Sequence, residues 1–481
     1  MAKYRQIVMI TNGIIGRKNE QQRLLNLYQS GKAEFTAIYG RRRVGKTFLI
    51  RQLFENEFVF DLTGLANANT KEQLVNFTLS LNRVTSTPNK TPQNWLYAFE
   101  QLISLVKNSP MKRKVIFMDE ISWLDTARSG FLTALEHFWN GWACTRTDIM
   151  FIVCGSATSW MMNKLINNHG GLHNRLTATI YLQPFTLYET ELFLQSQNGV
   201  YSRYDIAECF MAMGGIPYYL NKIDSRLSIA QNIDNLFFAE NAELKNEFRN
   251  LYASLFQNYT DYIKVVEALS IKAKGLSRQE IEKITGLSSG GGLTTTLKNL
   301  EYCGFIRSYN TFGKTKYEQL FQLLDAYTLF YFKYLAKNEY NDTAYWNNSL
   351  NTPQHNSWAG YAFEILALQH IAEIKQALGI TGVQSSVTVW KGKTAQIDLL
   401  INRKDGIINL CEIKFSGKDF TIDKNYEANL RNKIFTFKEE TKTRKAVHLL
   451  MLTTYGLTKN KYSGIAQKEI TLDDLFKAHG N

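Results

Sequence analysis

The first half of the chain alternates short apolar runs with longer stretches in which apolar residues recur every three or four positions. Five of these runs have the length and apolar character of buried strands. They are residues 35–39, 58–62, 115–118, 150–154 and 177–182. Strands that alternate with helices in this way favour a mostly parallel sheet flanked by helices. The sequence therefore predicts an α/β fold for this part of the chain.

The pattern changes after the last of these strands. From about residue 187 to 256 it becomes helical, with a break at 214–217, and this predicts a helical lid. Residues 262–317 predict three short helices and a hairpin, and the Asn-rich stretch 341–356 predicts a linker before a second α/β segment. We therefore predict three parts: residues 1–255 with the first sheet and its lid, residues 256–338 with the small module and a following helix, and residues 339–481 with the linker and the second α/β segment.

The charge of the chain favours a polyanionic partner. Its 481 residues include 56 Lys and Arg against 43 Asp and Glu, which gives a net charge of +13 and a pI near 9.2. Nucleic acid is the partner that such a balance indicates first, and a basic surface that is only solvated is the alternative. The charge thus predicts a DNA partner without locating the contact surface.

Cysteines and apolar runs indicate the compartment. Five cysteines lie far apart with no C-x-x-C pair, which predicts a reduced, cytoplasmic protein without a cysteine zinc site. The longest apolar runs, such as residues 149–154, are far shorter than the roughly 18 residues of a membrane span. Residues 1–20 carry no signal-peptide pattern. We therefore expect no membrane partner.

A glycine-rich segment directly follows the first predicted strand. Residues 40–47 read Gly-Arg-Arg-Arg-Val-Gly-Lys-Thr and fit the pattern G-x-x-x-x-G-K-[ST]. In such a loop backbone N–H groups close around the β- and γ-phosphates of a nucleoside triphosphate, Lys46 adds a positive charge, and the Thr47 hydroxyl reaches Mg²⁺. A chance Gly-Lys-Thr turn is the alternative, which the strand–loop–helix context disfavours. The predicted nucleotide-binding residues of this segment are Gly40, Arg43, Val44, Gly45, Lys46, Thr47 and Phe48.

Two carboxylates end the third predicted strand. At the carboxyl end of a strand in such a sheet, Asp119 and Glu120 face the ligand crevice. We expect Asp119 to hold Mg²⁺ and Glu120 to orient and deprotonate the attacking water. An Asp-Glu pair that only caps a helix is the alternative. Ser156 follows the next strand, and we expect it close to the γ-phosphate as a sensor if that strand lies beside the first.

Several short segments together resemble the archaeal-type ATPases, which lie in the AAA+ and STAND neighbourhood of P-loop NTPases. The segments are residues 16–20, the loop 40–47, Met118-Asp119-Glu120, Cys154-Gly155-Ser156, Arg175 followed by Pro184-Phe185, and Gly214-Gly215-Ile216-Pro217. The resemblance implies ATP hydrolysis, and it extends over the whole chain because many members carry a winged helix and then a restriction-endonuclease-like domain. The fold it implies is a P-loop NTPase with a parallel sheet and a helical lid, then the winged helix, then that α/β domain.

The resemblance also implies a role for Arg175. This residue stands where the family has an arginine before the last strand, which makes it a candidate γ-phosphate arginine. Whether it acts in its own subunit or across the interface of a homo-oligomer stays open, and an ordinary surface arginine is the alternative.

The small module has the layout of a winged helix. Ser277 to Glu280 is a capping box that opens a short helix, with Ile281 and Ile284 expected to face inward. In the next helix Leu293, Leu297 and Leu300 form one apolar face, which leaves Thr294, Thr295 and Lys298 outward, as in a recognition helix. Gly313-Lys314 is expected at a basic hairpin tip that contacts phosphate. A protein–protein winged helix is the alternative.

Two strands near the C-terminus carry a second set of charged residues. Asp398 lies in the first strand, and Glu412 and Lys414 share one face of the second, because side chains alternate along a strand. A hairpin that brings the three together lets the carboxylates hold Mg²⁺ or Mn²⁺ while Lys414 positions a hydroxide or the scissile phosphate. Glu364, in a preceding helix predicted at 358–374, is expected to complete the metal shell.

The arrangement D-x(n)-E-x-K resembles the PD-(D/E)XK nuclease superfamily, with Gln396 in place of the proline that often precedes the aspartate. Solvated charges or a decayed site are the alternatives. Several later basic positions suit a phosphate backbone, or form only a solvated surface. They are Lys424, Arg431, Lys433, Lys442, Arg444 and Lys445.

The sequence thus predicts a cytoplasmic, nucleotide-controlled protein that acts on DNA. Members of the ATPase family that this chain resembles are similar to mobile-element or defence proteins. One alternative is a signalling switch in which ATP binding drives assembly and the C-terminal domain only docks DNA or a protein. Another is a DNA-remodelling motor with a decayed nuclease. An intact set of Asp398, Glu412 and Lys414 favours the first interpretation.

Overall fold

The computed structural model describes residues 13–167, 170–256, 258–313, 319–336 and 342–478. The chain divides into two compact units, Met1–Pro184 and Phe185–Asn481.

The first unit is built on a five-stranded parallel sheet. Its strands are β1 Glu34–Tyr39, β2 Phe58–Thr63, β3 Lys114–Asp119, β4 Ile149–Gly155 and β5 Ala178–Tyr181. Its helices are α1 Lys18–Gln29, α2 Lys46–Phe54, α3 Thr70–Val84, α4 Trp95–Asn108, α5 Phe131–Gly141 and α6 Thr158–Trp160. The strands stand in the order β2-β3-β4-β1-β5. The five predicted strands and the parallel α/β sheet are confirmed.

Burial explains why these five runs become strands. β3 and β4 are buried at every position, so both faces of these central strands are covered. Aromatic side chains fill the layer between sheet and helices, and Phe35 of β1 stacks on Phe151 of β4 at 4.9 Å between ring centroids. The parallel order carries the carboxyl ends of β1, β3 and β4 to one edge of the sheet. The loops that follow these three strands therefore lie together.

The second unit contains the remaining elements. Its helices are α7 Leu187–Ser196, α8 Arg203–Met213, α9 Pro217–Leu220, α10 Ile229–Ile233, α11 Glu247–Leu255, α12 Tyr259–Ile271, α13 Arg278–Thr285, α14 Gly291–Tyr302, α15 Ala326–Phe330, α16 Tyr345–Ser349, α17 Pro353–Gln369, α18 Ile371–Ala377, α19 Lys424–Thr441 and α20 Leu472–Leu475. Its strands are β6 Leu276–Ser277, β7 Ile306–Tyr309, β8 Leu320–Leu323, β9 Ser385–Lys391, β10 Gln396–Arg403, β11 Ile407–Lys414, β12 Ala446–Thr453 and β13 Lys468–Thr471. The run from α7 to α11 agrees with the predicted helical stretch.

Helices α12 to α14 and the antiparallel sheet β6-β8-β7 form the small module. The predicted apolar face of α14 is buried, and Thr294, Thr295 and Lys298 are exposed. Ile281 is buried as expected, but the prediction for Ile284 is wrong, because that side chain is 49% exposed. It lies one turn further along α13, next to the end of the helix at Thr285, where the core that covers Ile281 no longer reaches. Lys314 lies outside the described residues.

Part of the stretch predicted as a linker is helical. It contains α16 and the start of α17. The side chain of Trp346 is fully buried, and the Asp234 carboxylate accepts hydrogen bonds from the backbone N–H of Trp346 and Asn347 at 2.7 and 3.1 Å. These contacts order a segment whose Asn-rich composition alone predicts a loop. The helix predicted at 358–374 is divided between α17 and α18 at His370.

A second five-stranded sheet forms the end of the chain, in the order β13-β12-β11-β10-β9. β9, β10 and β11 are antiparallel, whereas β11, β12 and β13 are parallel. Apolar side chains of β10, β11, β12 and α19 meet in one buried cluster. The predicted hairpin and the separate C-terminal α/β sheet are present.

Among the residues described, no helix combines the length and hydrophobicity that crossing a bilayer requires.

Candidate functional site

The predicted phosphate loop connects β1 to α2 and is shaped by two glycines. Gly40 has a φ of 140°, and Gly45, the residue before α2, has a φ of 89°. Both angles lie in the region that side chains disfavour, so glycine is required at each position. The loop delivers the chain to the amino end of α2, where free N–H groups and the helix dipole favour an anion.

Two buried cations hold this loop. The Lys46 ammonium donates to the carbonyl oxygens of Gly40 and Arg41 at 3.0 and 2.9 Å. Arg17, also buried, donates to the carbonyl oxygen of Val44 at 3.3 Å. We did not predict Arg17 as a site residue. Only its place in the segment 16–20, which resembles the ATPases, marked it, because a sequence does not show that an arginine is buried.

Two other residues of the predicted nucleotide set have their own features. Arg43 has a left-handed backbone with a φ of 72°. Phe48, in the first turn of α2, is 51% exposed, so its aromatic ring faces away from the core. Arg43 is half-buried, and Phe48 lies on the surface next to the loop.

Asp119 at the end of β3 meets the phosphate loop directly. The Thr47 hydroxyl donates to Asp119 Oδ2 at 2.7 Å, and the Glu120 backbone N–H donates to Asp119 Oδ1 at 3.0 Å. Burial raises the pKa of Asp119, and the nearby charge of Glu120 adds to this, while the Thr47 hydrogen bond opposes it. A buried carboxylate with a neighbouring carboxylate favours a cation beside it. Thr47 and Asp119 thus form a pair of oxygen ligands suited to Mg²⁺.

Glu120 is held by the residue predicted as a sensor. Its Oε2 accepts from the Ser156 backbone N–H at 3.1 Å and from the Ser156 hydroxyl at 2.9 Å. Glu120 has a φ of 46°, which directs the chain sharply out of β3. β4 pairs with β1 and with β3, which is the neighbour relation on which the expectation for Ser156 depended. The structure therefore brings Thr47, Asp119, Glu120 and Ser156 together at one edge of the sheet.

The hydroxyl of Ser156 leads to a specific prediction. Ser156→Ala removes one of the two hydrogen bonds to Glu120, so we expect nucleotide affinity to change by less than about threefold and turnover to fall by about tenfold, since a hydrogen bond to a charged group contributes roughly 1.5–3 kcal/mol. Steady-state phosphate release measures the turnover, and a nucleotide-binding titration measures the affinity. Ser122→Ala is the matched control, because the Ser122 hydroxyl has no hydrogen-bond partner in the described part of the chain. Equal turnover in Ser156→Ala and Ser122→Ala would contradict the role of the Ser156 hydroxyl in positioning Glu120.

Arg175 lies away from this group of residues. Its side chain is exposed, and Thr177, two residues later, donates from its backbone to the carbonyl oxygen of Phe35 at 2.9 Å. Phe35 is near the amino end of β1, whereas the phosphate loop follows the carboxyl end. Within one subunit, the structure does not bring Arg175 to the phosphate loop.

The family comparison covers most of the first unit and the start of the second. Residues 15–223 match the model of an ATPase domain found predominantly in Archaea. The chain belongs to this archaeal-type P-loop ATPase family. The match contains the loop 40–47, Asp119, Glu120, Ser156 and Arg175.

Relatives of the ATPase occur in Methanocaldococcus jannaschii. One uncharacterised protein is 25% identical over 423 residues, which cover 86% of this chain and 90% of that protein. An uncharacterised ATP-binding protein is 45% identical over 51 residues, which cover 11% of this chain and 80% of that protein. Among solved structures, a Walker-type ATPase of Pyrococcus abyssi is 15% identical with a TM-score of 0.48, over 67% of this chain and 96% of that one.

The ATPase carries its second set of charged residues on the hairpin β10–β11. Leu399 pairs with Cys411 across the hairpin, so their neighbours Asp398 and Glu412 lie on adjacent strands at the same level. Lys414, two residues after Glu412, stands 3.3 Å from Glu412 Oε1 through its ammonium nitrogen. The predicted hairpin therefore brings Asp398, Glu412 and Lys414 to one region.

Glu412 is surrounded by partners from α19. The Tyr426 hydroxyl donates to Glu412 Oε1 at 2.5 Å, and the Lys433 ammonium donates to Oε2 at 2.7 Å. Burial raises the pKa of Glu412, but the charges of Lys433 and Lys414 outweigh it and lower the pKa overall. Glu412 is thus an ionised carboxylate whose two oxygens are both engaged. Tyr426 is absent from the predicted site residues, and Lys433 is predicted only as a basic position that suits a phosphate backbone or a solvated surface. Their spacing of two helical turns nevertheless places them on one face of α19.

Glu364 and Asp398 share a different partner. Glu364 lies on α17, and the Lys274 ammonium stands 2.9 Å from its Oε2 and 2.5 Å from Asp398 Oδ1. Burial raises the pKa of Glu364, and the charge of Asp398 adds to this effect. Gln396 also donates to Asp398 Oδ1 at 2.8 Å. Across the described ranges, no group of three or more carboxylate, imidazole or thiol side chains has the arrangement of a metal site.

Proposed function

We propose that this ATPase uses Mg²⁺ held by Thr47 and Asp119, with Glu120 as the base that activates water. The observation that carries this proposal is the 2.7 Å hydrogen bond between Thr47 and Asp119, with Glu120 as the next residue along the chain. Lys46 and the N–H groups of the loop would neutralise the phosphates, and Ser156 would keep Glu120 aimed.

Mg²⁺-dependent phosphate release tests this assignment. Purified protein should release phosphate from ATP with Mg²⁺, and EDTA should reduce the rate to background. Release that continues unchanged in EDTA would exclude the metal role of Thr47 and Asp119.

Arg175, exposed and distant from the loop of its own subunit, is proposed to act across the interface of a homo-oligomer.

We further propose that the module within the predicted part 256–338 is a winged helix that binds DNA. Exposed Thr294, Thr295 and Lys298 on α14 support it, as does the net charge of +13. Arg278 of α13 donates to the Thr294 hydroxyl at 3.0 Å, which places a second cation next to this face. Such residues suit phosphate contacts, which set affinity more than sequence preference.

Salt dependence tests the DNA proposal. Affinity for a short duplex, measured by fluorescence titration, should fall steeply and linearly on a log–log plot as salt increases. Lys298→Ala should weaken binding and reduce the salt slope by about one. Lys245→Ala, an exposed lysine outside the module, is the matched control and should bind as wild type does. No binding at low salt, with or without ATP, would favour a protein partner.

For the predicted part 339–481 we propose metal-dependent phosphodiester cleavage at Asp398, Glu412 and Lys414. The register of β10 and β11 supports it, because Asp398 and Glu412 come level with each other. Mg²⁺ or Mn²⁺ would be the metal, with Lys414 positioning water or phosphate. A second candidate is a nucleotide-controlled switch whose C-terminal sheet binds DNA without cutting it. The contact of Lys274 with both Glu364 and Asp398 favours this second candidate.

A further inference from the structure

Lys274 comes from the small module and not from the sheet that carries the carboxylates. It lies in the tight turn between α12 and β6, where Gly275 has a φ of 79°. A Cβ at Gly275 would lie 2.2 Å from the carbonyl oxygen of Phe321 in β8, so only glycine allows this close approach. The turn therefore presents Lys274 from a fixed backbone position.

Hydrogen bonds from three elements fasten the same turn. Tyr361 of α17 and Gln322 of β8 donate to the carbonyl oxygen of Ala273 at 2.9 and 2.8 Å. The Tyr309 hydroxyl of β7 donates to the carbonyl oxygen of Lys274. Tyr361 precedes Glu364 by one helical turn on α17, so one helix holds both the turn and a carboxylate that its lysine contacts. The placement of Lys274 is thus determined by backbone contacts as well as by charge.

The lysine and the carboxylates balance each other. Three carboxylates, Glu364, Asp398 and Glu412, face three ammonium groups, those of Lys274, Lys414 and Lys433. Burial disfavours the charge of Lys274, but Glu364 and Asp398 more than offset this and raise its pKa. A neutral cluster of this kind has little attraction for a further cation, because the carboxylates are already paired.

We propose that Lys274 is an internal counter-ion that occupies the divalent-cation position between Glu364 and Asp398. The site then binds metal only when the lysine withdraws. Hard divalent ions bind carboxylate oxygens at about 2.0–2.6 Å. The Lys274 ammonium now occupies the point between Glu364 Oε2 and Asp398 Oδ1 where such an ion would lie. This inference rests on the cleavage proposed for this site and adds its regulation. Because Lys274 belongs to the module proposed to bind DNA, a duplex phosphate that draws its ammonium away, with the turn in place, would expose the carboxylates.

Binding of Mn²⁺ to the full chain without nucleotide tests the inference. Lys274→Met removes the ammonium and keeps most of the side-chain volume. We expect it to gain one Mn²⁺ site, seen by calorimetry or electron paramagnetic resonance, with an affinity at least tenfold above that of wild type at this position. The gain should disappear when Asp398→Asn is added. Lys274→Arg keeps the charge and should not gain the site.

A matched control lies two residues away. Lys272 pairs with Glu280 on the surface of the same turn, so Lys272→Met should leave Mn²⁺ binding unchanged. A lysine that only stabilises the fold would lower the melting temperature of Lys274→Met without making it responsive to metal. We instead expect Mn²⁺ to raise the melting temperature of Lys274→Met more than that of wild type. If Lys274→Met does not fold, Lys274→Gln, which retains a hydrogen-bond donor, takes its place in each measurement.

Two results would overturn the inference. One is that the uncharged Lys274 variant binds Mn²⁺ no better than wild type. The other is that the gained site survives Asp398→Asn. Cleavage assays separate this outcome from the proposed nuclease function. A gained Mn²⁺ site without DNA cleavage in any variant supports the counter-ion and refutes the nuclease, whereas cleavage by wild type with no gain in Lys274→Met refutes the counter-ion alone.

Discussion

Glu120→Gln should retain nucleotide binding and lower ATP turnover by about 10²–10⁴-fold, the range expected when a general base is lost. The amide keeps the size of the side chain and still accepts a hydrogen bond from Ser156, which now contacts Glu120 Oε2 at 2.9 Å. Thr47 and Asp119, the proposed metal ligands, are unchanged. Only the ability to take a proton from water is removed. Fluorescent-nucleotide titration and steady-state phosphate release measure the two quantities.

Lys46→Ala is the contrasting variant. It removes the buried ammonium that donates to the carbonyl oxygens of Gly40 and Arg41 in the phosphate loop. Nucleotide binding itself should therefore be lost. Binding lost in Lys46→Ala and kept in Glu120→Gln separates a phosphate contact from a catalytic one. Turnover by Glu120→Gln at the wild-type rate would mean that another group activates the water.

Asp398→Ala or Lys414→Ala should reduce metal-dependent DNA cleavage below detection while leaving ATP turnover within about twofold of wild type. Phosphodiester hydrolysis needs a metal to neutralise developing charge and a positioned water, and in the proposed site these residues would supply both only together. The proposed ATP site and this hairpin belong to different compact units, so ATP turnover reports that the first unit is intact. The assay uses plasmid and short duplexes, with and without ATP, and with Mg²⁺ or Mn²⁺.

The same hairpin supplies matched controls. Asp405 and Lys404 lie in its turn, where Asp405 pairs with Arg403, and alanine at either position should leave cleavage unchanged. If wild type cuts no DNA under any combination of nucleotide and metal, or if Asp398→Ala and Lys414→Ala both cut as well as wild type, the nuclease assignment is wrong. The switch then becomes the better account of the C-terminal sheet.

The geometry of the proposed ATP site could be predicted because its signals are local. The spacing of Gly40, Gly45, Lys46 and Thr47 specifies one loop, and the apolar strand before Asp119 and Glu120 specifies where the carboxylates emerge. Ser156 required one further step, the neighbour relation of β4 and β1, which follows from the usual topology of such sheets. The strand ends differ from the predicted ones by a residue or two, as fraying ends do.

The features that the sequence did not predict depend on contacts between distant segments. Lys274 precedes Asp398 by more than a hundred residues, and no periodicity connects them. Trp346 and Asp234 turn a stretch with the composition of a linker into a helix, because burial and carboxylate contacts outweigh local preference. Ile284 fits an apolar pattern that the short helix α13 does not continue. In each case the tertiary partner decides the outcome, and a single sequence does not identify that partner.

The two glycines of the phosphate loop are required for different reasons, which affects how substitutions at each are interpreted. A Cβ at Gly40 would stand 2.4 Å from the carbonyl oxygen of Leu182. The backbone N–H of Leu182 donates to the carbonyl oxygen of Tyr39 at 2.8 Å. A Cβ at Gly45 would meet nothing within 4 Å. Alanine at Gly40 therefore collides with the end of the neighbouring strand even when no phosphate is present, so its failure to bind ATP would report damage to the sheet. Alanine at Gly45 strains only its own backbone angle, so loss of affinity there would report the fit of the loop around its ligand.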